Sequence, residues 1–156
     1  MGALGLQACS SDGGSAGAGE PLPDATLVAL DTGEAADWPG EGTPLVVNLW
    51  ASWCTPCRKE MPAFDEVSRE LDGEVAIVGV TDERDLDAAR DAADQAGVTY
   101  PLLADEGQTL LVDLDVSGLP GTVFVDADGT VVDRHLGALS ADQLRDKIED
   151  LYDITT

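Results

Sequence analysis

The chain has 156 residues, enough for one domain with a buried core, and 44% of them are hydrophobic, as is ordinary for a globular protein. Acidic residues outnumber basic ones by 31 to 8, which gives a formal net charge of −23 at pH 7. Such a surface argues against nucleic acid as a partner, because phosphate binding depends on Lys and Arg. We interpret the charge as solubilising, and no stretch approaches the roughly 20 apolar residues of a membrane span.

A cysteine near the N-terminus stands in a distinctive local sequence. Ala8 and Cys9 end a stretch that resembles a bacterial lipobox, in which a small residue precedes the cysteine that becomes lipidated. Residues 10–19 follow as a low-complexity run typical of a flexible tether. We therefore expect residues 1–8 to be a signal-peptide remnant, and residues 9–22 to be the lipidated cysteine and its tether. The stretch lacks a basic n-region and an apolar h-region, so a disordered tail with a chance cysteine remains an alternative.

A folded domain is expected over residues 23–156. Residues 25–30 alternate weakly between polar and apolar, and residues 31–34 carry a turn signal, which together predict a short hairpin at a sheet edge. Residues 44–50 form an almost unbroken apolar run of strand length. Such a run is typical of a central strand that is buried on both faces of an α/β sheet.

The apolar period becomes helical after this strand. On a wheel of about 100° per residue, the apolar stripe around Cys57 contains Glu60, Met61, Phe64, Val67 and Leu71. The opposite side, facing solvent, is assigned Arg58, Lys59, Asp65, Glu66, Arg69 and Glu70. Pro56 suits the first turn of a helix, so the pattern predicts an amphipathic helix that begins at the cysteines.

The remaining pattern completes an α/β fold. In chain order it predicts a buried strand over 75–80, a helix over 85–96, a connection over 100–104 to a short helix around 109–111, a hairpin of strands over 122–125 and 130–132, and a last helix opened by a capping box at 140–143. This order indicates a mixed central sheet with helices on both faces. Reactive groups in such sheets gather at the carboxyl ends of the strands.

Two cysteines with a two-residue gap, Cys54 and Cys57, stand where the strand passes into the helix N-terminus. The unpaired N–H groups and the helix dipole there stabilise a thiolate. We expect Cys54 to be exposed and to attack, and Cys57 to be partly covered and to resolve, through a reversible disulfide. A structural zinc site uses the same spacing, but it needs further ligands, and the chain offers only Cys9 and His135 besides. We therefore expect redox chemistry without a metal or a cofactor, and interpret His135 as structural or surface.

Two segments resemble the thioredoxin superfamily, and within it the TlpA/ResA/DsbE branch of extracytoplasmic thiol–disulfide oxidoreductases. They are residues 48–62, NLWASWCTPCRKEMP, and residues 117–126, SGLPGTVFVD. The likeness extends over about residues 23–152 and implies a thioredoxin fold with an N-terminal β-hairpin extension. Ordinary thioredoxins carry a buried Asp at the position of Asn48, whereas this branch resembles the present chain in having Asn there and a glutamate at the position of Glu60.

The resemblance also implies a substrate-binding rim around the cysteines. Pro120 corresponds to the proline that faces the active-site disulfide across a cis peptide bond in this superfamily, although the sequence alone allows an ordinary trans turn. That geometry leaves the backbone of Leu119 free to pair with an extended substrate segment. Trp53 is expected to form an apolar landing surface, with Thr55 and Pro56 beside it.

Glu60 is the third catalytic candidate. The wheel places its carboxyl group inside the apolar stripe beside Cys57, where burial raises the pKa of a carboxyl group and a neighbouring thiolate raises it further. A protonated Glu60 can exchange protons with Cys57 during disulfide exchange. The alternative is a side chain that bends to solvent near the helix start, where the dipole favours its charge.

The family implies a protein partner. Its usual activity is reduction of the haem-attachment cysteines of apocytochrome c, with recharging by a membrane thiol–disulfide shuttle protein. The expected protein is therefore a monomeric reductant of protein disulfides, held on the outer face of the cell membrane through Cys9. One alternative is an oxidant that installs disulfides in secreted proteins. The other is a non-catalytic thioredoxin-like binding lipoprotein, which an intact CxxC argues against.

Overall fold

The computed structural model describes residues 19–156, and the expectations for residues 1–8 and for Cys9 lie outside the described residues. The elements in chain order are β1 (Leu27–Ala29), β2 (Ala35–Ala36), β3 (Leu45–Leu49), α1 (Thr55–Leu71), β4 (Ala76–Thr81), α2 (Leu86–Ala96), β5 (Leu102–Asp105), α3 (Leu110–Asp113), β6 (Gly121–Val125), β7 (Val131–Leu136) and α4 (Ala141–Tyr152). The last four residues of the expected tether, 19–22, are described and lie against the β6–β7 turn: the N–H of Gly19 donates to the carbonyl of Val131 at 2.7 Å, and that of Leu22 to the carbonyl of Gly129 at 2.8 Å.

The strands form one mixed sheet in the order β2-β1-β5-β4-β3-β6-β7. Parallel pairing joins β3 to β4 and β4 to β5, whereas β1, β2, β6 and β7 pair antiparallel with their neighbours. The β1–β2 hairpin lies at one edge, as predicted. All five residues of β3 are buried, because strands lie on both sides of it and helices cover its faces. The predicted mixed sheet is confirmed.

Helices cover both faces of the sheet, but unequally. The crossovers from β3 to β4 and from β4 to β5 step in the same direction, so right-handed connections place α1 and α2 on the same face. Val46 shares a buried cluster with Phe64 of α1 and Leu144 of α4. Its neighbour Val47 points the other way and shares a cluster with Leu110 of α3. The long helices therefore lie together, and the short α3 covers the opposite face.

The predicted helix boundaries follow local capping chemistry. Pro56 lies in the first turn of α1. The carboxylate of Asp85 caps α2, and Gly97 ends it with a left-handed backbone at φ 66°. Ser140 and Gln143 form the reciprocal capping box at the start of α4.

The assignment of Asp65 to the solvent side of α1 is wrong. Its side chain is buried, with the residue only 5% exposed, and it accepts hydrogen bonds from both the backbone N–H and the hydroxyl of Thr99. The angle of Asp65 on the wheel places it at the margin of the apolar stripe, so a neighbouring element can cover it. The connection before β5 supplies that cover, because it brings Thr99 against α1.

One strand was not predicted, and another is longer than predicted. The segment 100–104, predicted only as a connection, contributes β5, which pairs parallel with β4 and antiparallel with β1. A run this short has no clear period of its own, and it becomes a strand because partners lie on both sides. The second hairpin strand is also longer, since β7 extends to Leu136 along the length of β6.

Candidate active site

Cys54 and Cys57 form a disulfide at the junction of β3 and α1, with their Cα atoms 5.3 Å apart. Cys54 occupies the position before the first helical residue, and its Sγ accepts the backbone N–H of Cys57 at 3.3 Å. An N–H group at a helix N-terminus is thus directed at the Cys54 sulfur. In the reduced protein the same group stabilises a thiolate at that position.

The expected exposure of Cys54 is not found in the disulfide form. Cys54 is 4% exposed, and Cys57 is fully buried. Cys54 belongs to a buried cluster that includes Trp50, Ala51 and Met61, and these side chains cover it from the protein side. The exposed neighbour is Trp53, which is 70% exposed. Trp53 is therefore the exposed large apolar side chain next to Cys54 in the chain.

The expected rim residues lie in the first turn of α1 and in the segment that leads into β6. Thr55 and Pro56 are exposed in the first turn of α1. The Leu119–Pro120 peptide bond is cis, which confirms the prediction for Pro120. Leu119 is half-buried and packs against the cluster that contains both cysteines. The tertiary structure therefore packs Leu119 against the cluster of the cysteines, although it lies more than 60 residues after Cys57 in sequence.

The backbone of Leu119 is available for pairing. Within residues 19–156, neither its N–H nor its carbonyl oxygen takes part in a hydrogen bond, whereas the carbonyl of the adjacent Pro120 accepts the N–H of Gly137 at 2.9 Å. An extended peptide beside Leu119 can therefore add main-chain hydrogen bonds without displacing any already made there.

Glu60 is buried, as the wheel predicts, at 4% exposure. The side-chain amide of Asn48 donates to Oε1 at 2.8 Å, and the backbone N–H of Leu139 donates to Oε2 at 2.9 Å. Burial raises the pKa of Glu60 to about 7, and these two hydrogen bonds offset only part of that effect. The alternative in which the carboxyl group turns to solvent is excluded.

A third polar side chain extends this network. The Tyr100 hydroxyl donates to Oδ1 of Asn48 at 3.5 Å. Gly79 stands opposite Asn48 in the β3–β4 register, and a Cβ there would lie 3.2 Å from the Tyr100 ring. The absence of that Cβ lets the Tyr100 ring approach β4. Burial, followed by the nearby charge of Glu60, raises the pKa of Tyr100, so its hydroxyl stays protonated and donates.

The sequence did not reveal two partners in this network. Leu139 acts through its backbone N–H, which leaves no mark in the side-chain pattern. Tyr100 lies in a connection that carries no strong period. An unusual amide at Asn48 facing a buried acid is the one signal that points to a polar network here.

An open groove lies beside Glu60 and gives this side of the site an outlet to solvent. It has a volume of about 590 Å³ and runs between the start of α1 and the β7–α4 connection. Its lining residues are Thr55, Pro56, Lys59, Glu60, Ala138, Leu139, Ser140 and Gln143. The groove therefore brings open space from the surface next to the buried carboxyl group.

The described part of the chain offers neither a metal centre nor a helix that could cross a membrane. Over residues 19–156 no group of three or more His, Cys, Asp or Glu side chains is arranged to hold a metal ion. No helix in the same range has the length and apolar character needed to cross a membrane. His135 is half-buried in β7 opposite Thr122, away from the cysteines in the sheet register.

Comparison with known proteins gives the family. Residues 17–152 match the Redoxin family. The chain is 30% identical over 134 residues to the thioredoxin-like protein YneN of Bacillus subtilis (84% of this chain, 78% of YneN). It is 32% identical over 139 residues to the thiol:disulfide interchange protein DsbE of Escherichia coli (86% of this chain, 74% of DsbE). A secreted disulfide oxidoreductase of Mycobacterium tuberculosis, described as homologous to E. coli DsbE, has a solved structure that superposes with a TM-score of 0.69 at 27% identity, covering 81% of this chain and 95% of that one.

These matches agree with the site. The disulfide is located at a helix N-terminus within a thioredoxin-like sheet, and Leu119, which precedes the cis-proline Pro120, packs against the cluster that contains both cysteines. The relatives are named for thiol–disulfide chemistry. The chain therefore belongs to the Redoxin family and is a thioredoxin-like thiol–disulfide oxidoreductase whose redox pair is Cys54 and Cys57.

Proposed function

We propose that the protein works outside the cytoplasm as a monomeric reductant of protein disulfides, in which Cys54 attacks and Cys57 resolves. The observation that carries the proposal is the N–H of Cys57 directed at the Cys54 sulfur. It favours a thiolate on Cys54 rather than on Cys57, and the thiolate is the attacking species. An intact redox pair argues against a purely binding role.

The reaction consists of two exchanges. The Cys54 thiolate attacks one sulfur of a target disulfide; a bond forms between them, and the other target sulfur leaves as a thiolate. Cys57 then loses its proton and attacks the Cys54 sulfur, which closes the Cys54–Cys57 disulfide and releases the second target thiolate. The target gains two electrons and two protons, and the protein is left oxidised. A membrane thiol–disulfide shuttle protein returns the protein to its dithiol form.

Glu60 handles the proton of the second exchange in this proposal. Cys57 must be deprotonated inside a buried site, and a carboxyl group whose pKa lies near neutrality can take a proton and later return it. The groove beside Glu60 then passes protons to solvent. Glu60→Gln should shift the pH dependence of Cys57 alkylation in the reduced protein. Superimposable alkylation curves for the variant and the wild type would exclude this role.

The substrate binds across the rim. A segment that contains the target disulfide pairs with the Leu119 backbone beside Pro120 and lies on Trp53, Thr55 and Pro56. Trp53→Ala should therefore reduce kcat/KM for a folded or peptide disulfide while leaving the rate with a small dithiol reagent nearly unchanged. An equal loss with both would show that Trp53 supports the cysteines rather than the substrate.

The order of the two cysteines has a direct test. In a Cys57→Ser protein the resolving thiol is gone, so mixed disulfides should accumulate on Cys54 and be visible on non-reducing gels. Cys54→Ser is the matched control and should accumulate none, provided that both variants also carry Cys9→Ala so that no third thiol reacts. Trapping through Cys57 in the control would reverse the assigned roles.

The redox direction and the substrate follow from the family in this proposal. The TlpA/ResA/DsbE branch supplies reductant for haem attachment, so the proposed targets are the haem-attachment cysteines of apocytochrome c. Titration of the Cys54–Cys57 pair against glutathione or dithiothreitol should give a reduction potential below about −200 mV. A value near about −120 mV, as in strongly oxidising members of the fold, would instead assign the protein to disulfide formation in secreted proteins.

The location of the protein depends on Cys9. We propose that Cys9 is lipidated, that residues 1–8 are removed, and that the residues after Cys9, up to the first described residue Gly19, tether the domain to the outer face of the cell membrane. In the native host, Cys9→Ala should move the protein from the membrane fraction to the soluble fraction. Unchanged membrane association of that variant would contradict the lipid anchor.

A further inference from the structure

A carboxylate outside the cysteine–Glu60 network holds the loop that precedes Cys54. Oε1 of Glu83 accepts the Ser52 hydroxyl at 2.5 Å, and Oε2 accepts the Ser52 backbone N–H at 2.6 Å. Oε2 also accepts the Thr81 hydroxyl at 3.2 Å, and the N–H of Glu83 donates back to the Thr81 oxygen at 3.3 Å. Both carboxylate oxygens of Glu83 are therefore used on one short loop and on the strand that supports it.

The sheet topology explains why these residues meet. Because β3 and β4 are parallel neighbours, their carboxyl ends reach the same edge of the sheet. Ser52 follows β3, and Glu83 follows β4. The N–H of Trp50 donates to the carbonyl of Val80 at 3.1 Å, which continues the pairing just beyond the end of β3. The loop over residues 51–53 thus leaves the sheet directly beside Glu83.

We infer that Glu83 is a positioning residue for disulfide exchange, because its carboxylate holds the loop over residues 51–53 so that Cys54 meets an incoming disulfide in line. The inference rests on the proposed role of Cys54 as the attacking thiol. Displacement at a disulfide requires the three sulfur atoms to lie nearly on one line, and fixed orientation of a reacting group lowers the barrier of such a step. Hydrogen bonds to a charged acceptor are about twice as strong as neutral ones, so a carboxylate holds the loop better than an amide.

The charge of Glu83 acts in the opposite direction to its hydrogen bonds. A carboxylate near Cys54 opposes thiolate formation, so removal of Glu83 can raise the amount of thiolate while it loosens the loop. The two effects separate when each rate is divided by the thiolate fraction, measured from the ultraviolet absorbance of the thiolate. Alkylation by iodoacetamide is also an in-line displacement, but the reagent is small and carries no second sulfur substituent, so its rate depends less on the orientation of Cys54 than the rate of attack on a disulfide does.

The experiment uses the full chain with Cys9→Ala and Cys57→Ser, in which Cys54 is the only cysteine. Attack on hydroxyethyl disulfide, a neutral probe, is followed by the mass of the mixed disulfide, and alkylation by iodoacetamide is followed in parallel. Per thiolate, Glu83→Ala should slow attack on the disulfide by about tenfold and Ser52→Ala by about threefold. Alkylation by iodoacetamide should change less than about twofold in both variants.

Glu106→Ala is the matched control. Glu106 is exposed, follows β5 as Glu83 follows β4, and its carboxylate makes no hydrogen bond within residues 19–156. The control removes the same charge at the same edge of the sheet and should leave both rates within about twofold of the parent. Glu83→Gln keeps the size of the side chain and one acceptor, so it should fall between Glu83→Ala and the parent.

Each outcome decides the inference. Equal rates of attack on the disulfide in Glu83→Gln, Glu83→Ala and Glu106→Ala overturn it, and so does an equal loss in attack and alkylation. If Glu83→Ala does not fold, the rate at which Glu83→Gln attacks the disulfide, compared with the parent and with Glu106→Ala, tests the inference instead. A parent Cys57→Ser protein that forms no mixed disulfide through Cys54 overturns the proposed function and the inference with it, whereas a reactive parent with insensitive variants overturns the inference alone.

Discussion

The side chain of Glu60 accepts hydrogen bonds at both carboxyl oxygens, yet its ionised form is disfavoured. Two N–H donors, from Asn48 and Leu139, meet its two oxygens. Burial nevertheless destabilises the charged form more than these hydrogen bonds stabilise it, so the pKa of Glu60 rises to about 7. At neutral pH the carboxyl group therefore exists in both protonation states, which is the property that a proton carrier beside a cysteine pair requires.

Replacement of Glu60 by Gln should change how stability depends on pH. The folded-state pKa of Glu60 is raised from the ordinary 4.5 to about 7, so the folded protein binds this proton more tightly than the unfolded chain does. Relative to Glu60→Gln, the oxidised wild type should therefore lose stability as the pH rises from about 4.5 to about 7, by about 3 kcal/mol in total. Urea unfolding of both oxidised proteins across this range measures the difference. Parallel stability curves would show that the carboxyl group is not desolvated as described.

At the scale of elements, Asp65 joins α1 to the connection between α2 and β5. Its Oδ1 accepts the N–H and the hydroxyl of Thr99, and its Oδ2 pairs with the guanidinium of Arg69 at 2.9 Å. Burial on its own would raise the pKa of Asp65, but the hydrogen bonds from Thr99 and the charge and hydrogen bond of Arg69 outweigh it and lower the pKa. These contacts hold α1, the helix that carries Cys57, against the connection that leads into the N-terminal end of β5.

Asp65→Ala should destabilise the fold by about 2 kcal/mol at neutral pH, because it leaves the donors of Thr99 without a partner. The pKa of Asp65 is lowered in the folded state, so its contribution is complete above the ordinary value and is lost as the pH falls through the folded value. The effect of the substitution should therefore shrink in acid. Asp91→Ala, an exposed helical aspartate of α2, is the matched control and should stay within about 0.5 kcal/mol of wild type. Equal denaturation midpoints for the two variants would contradict a tie through Asp65.

At the scale of the whole molecule, acidic charge exceeds what the cations can neutralise. Arg145 of α4 already contacts three carboxylates, from Glu66 and Glu70 of α1 and from Asp142. With only 8 basic residues against 31 acidic ones, there are too few cations for most of the acidic side chains to form an ion pair. Folding brings these charges together, so self-repulsion opposes the compact state.

Salt should therefore stabilise the oxidised protein at neutral pH. Sodium chloride screens the repulsion between surface charges without the exclusion effects of sulfate or phosphate. Each 1 kcal/mol of repulsion relieved should raise Tm by about 2–4 °C in a chain of this length. Scanning calorimetry from low to high sodium chloride tests this, with choline chloride as the control for specific sodium binding. A Tm that stays constant or falls with both salts would mean that the acidic surface is already balanced.

Much of the fold was predictable because its signals are local. The apolar run of β3, the helical stripe of α1, the stop at Gly97 and the capping box at Ser140 each depend on neighbours within a few residues. The burial of Glu60 was predictable for the same reason, since a helical period of 3.6 places it among apolar side chains. The burial of Cys54 was not predictable in this way, because in the disulfide form it comes from tertiary packing in the cluster that includes Trp50 and Met61.

The sequence by itself therefore determined most of the elements, the cysteine pair and the face of α1 on which the carboxyl group of Glu60 lies. The tertiary structure alone made a strand of Leu102–Asp105 and decided which groups distant in sequence meet. The N–H of Leu139 reaches Glu60 across 79 residues, Thr99 reaches Asp65 across 34, and Glu83 reaches Ser52 across 31. Periodicity and capping act over one or two turns of chain, whereas these contacts depend on the order of strands in the sheet. Strand order is set by the burial of all the elements together, so no short stretch of sequence carries it.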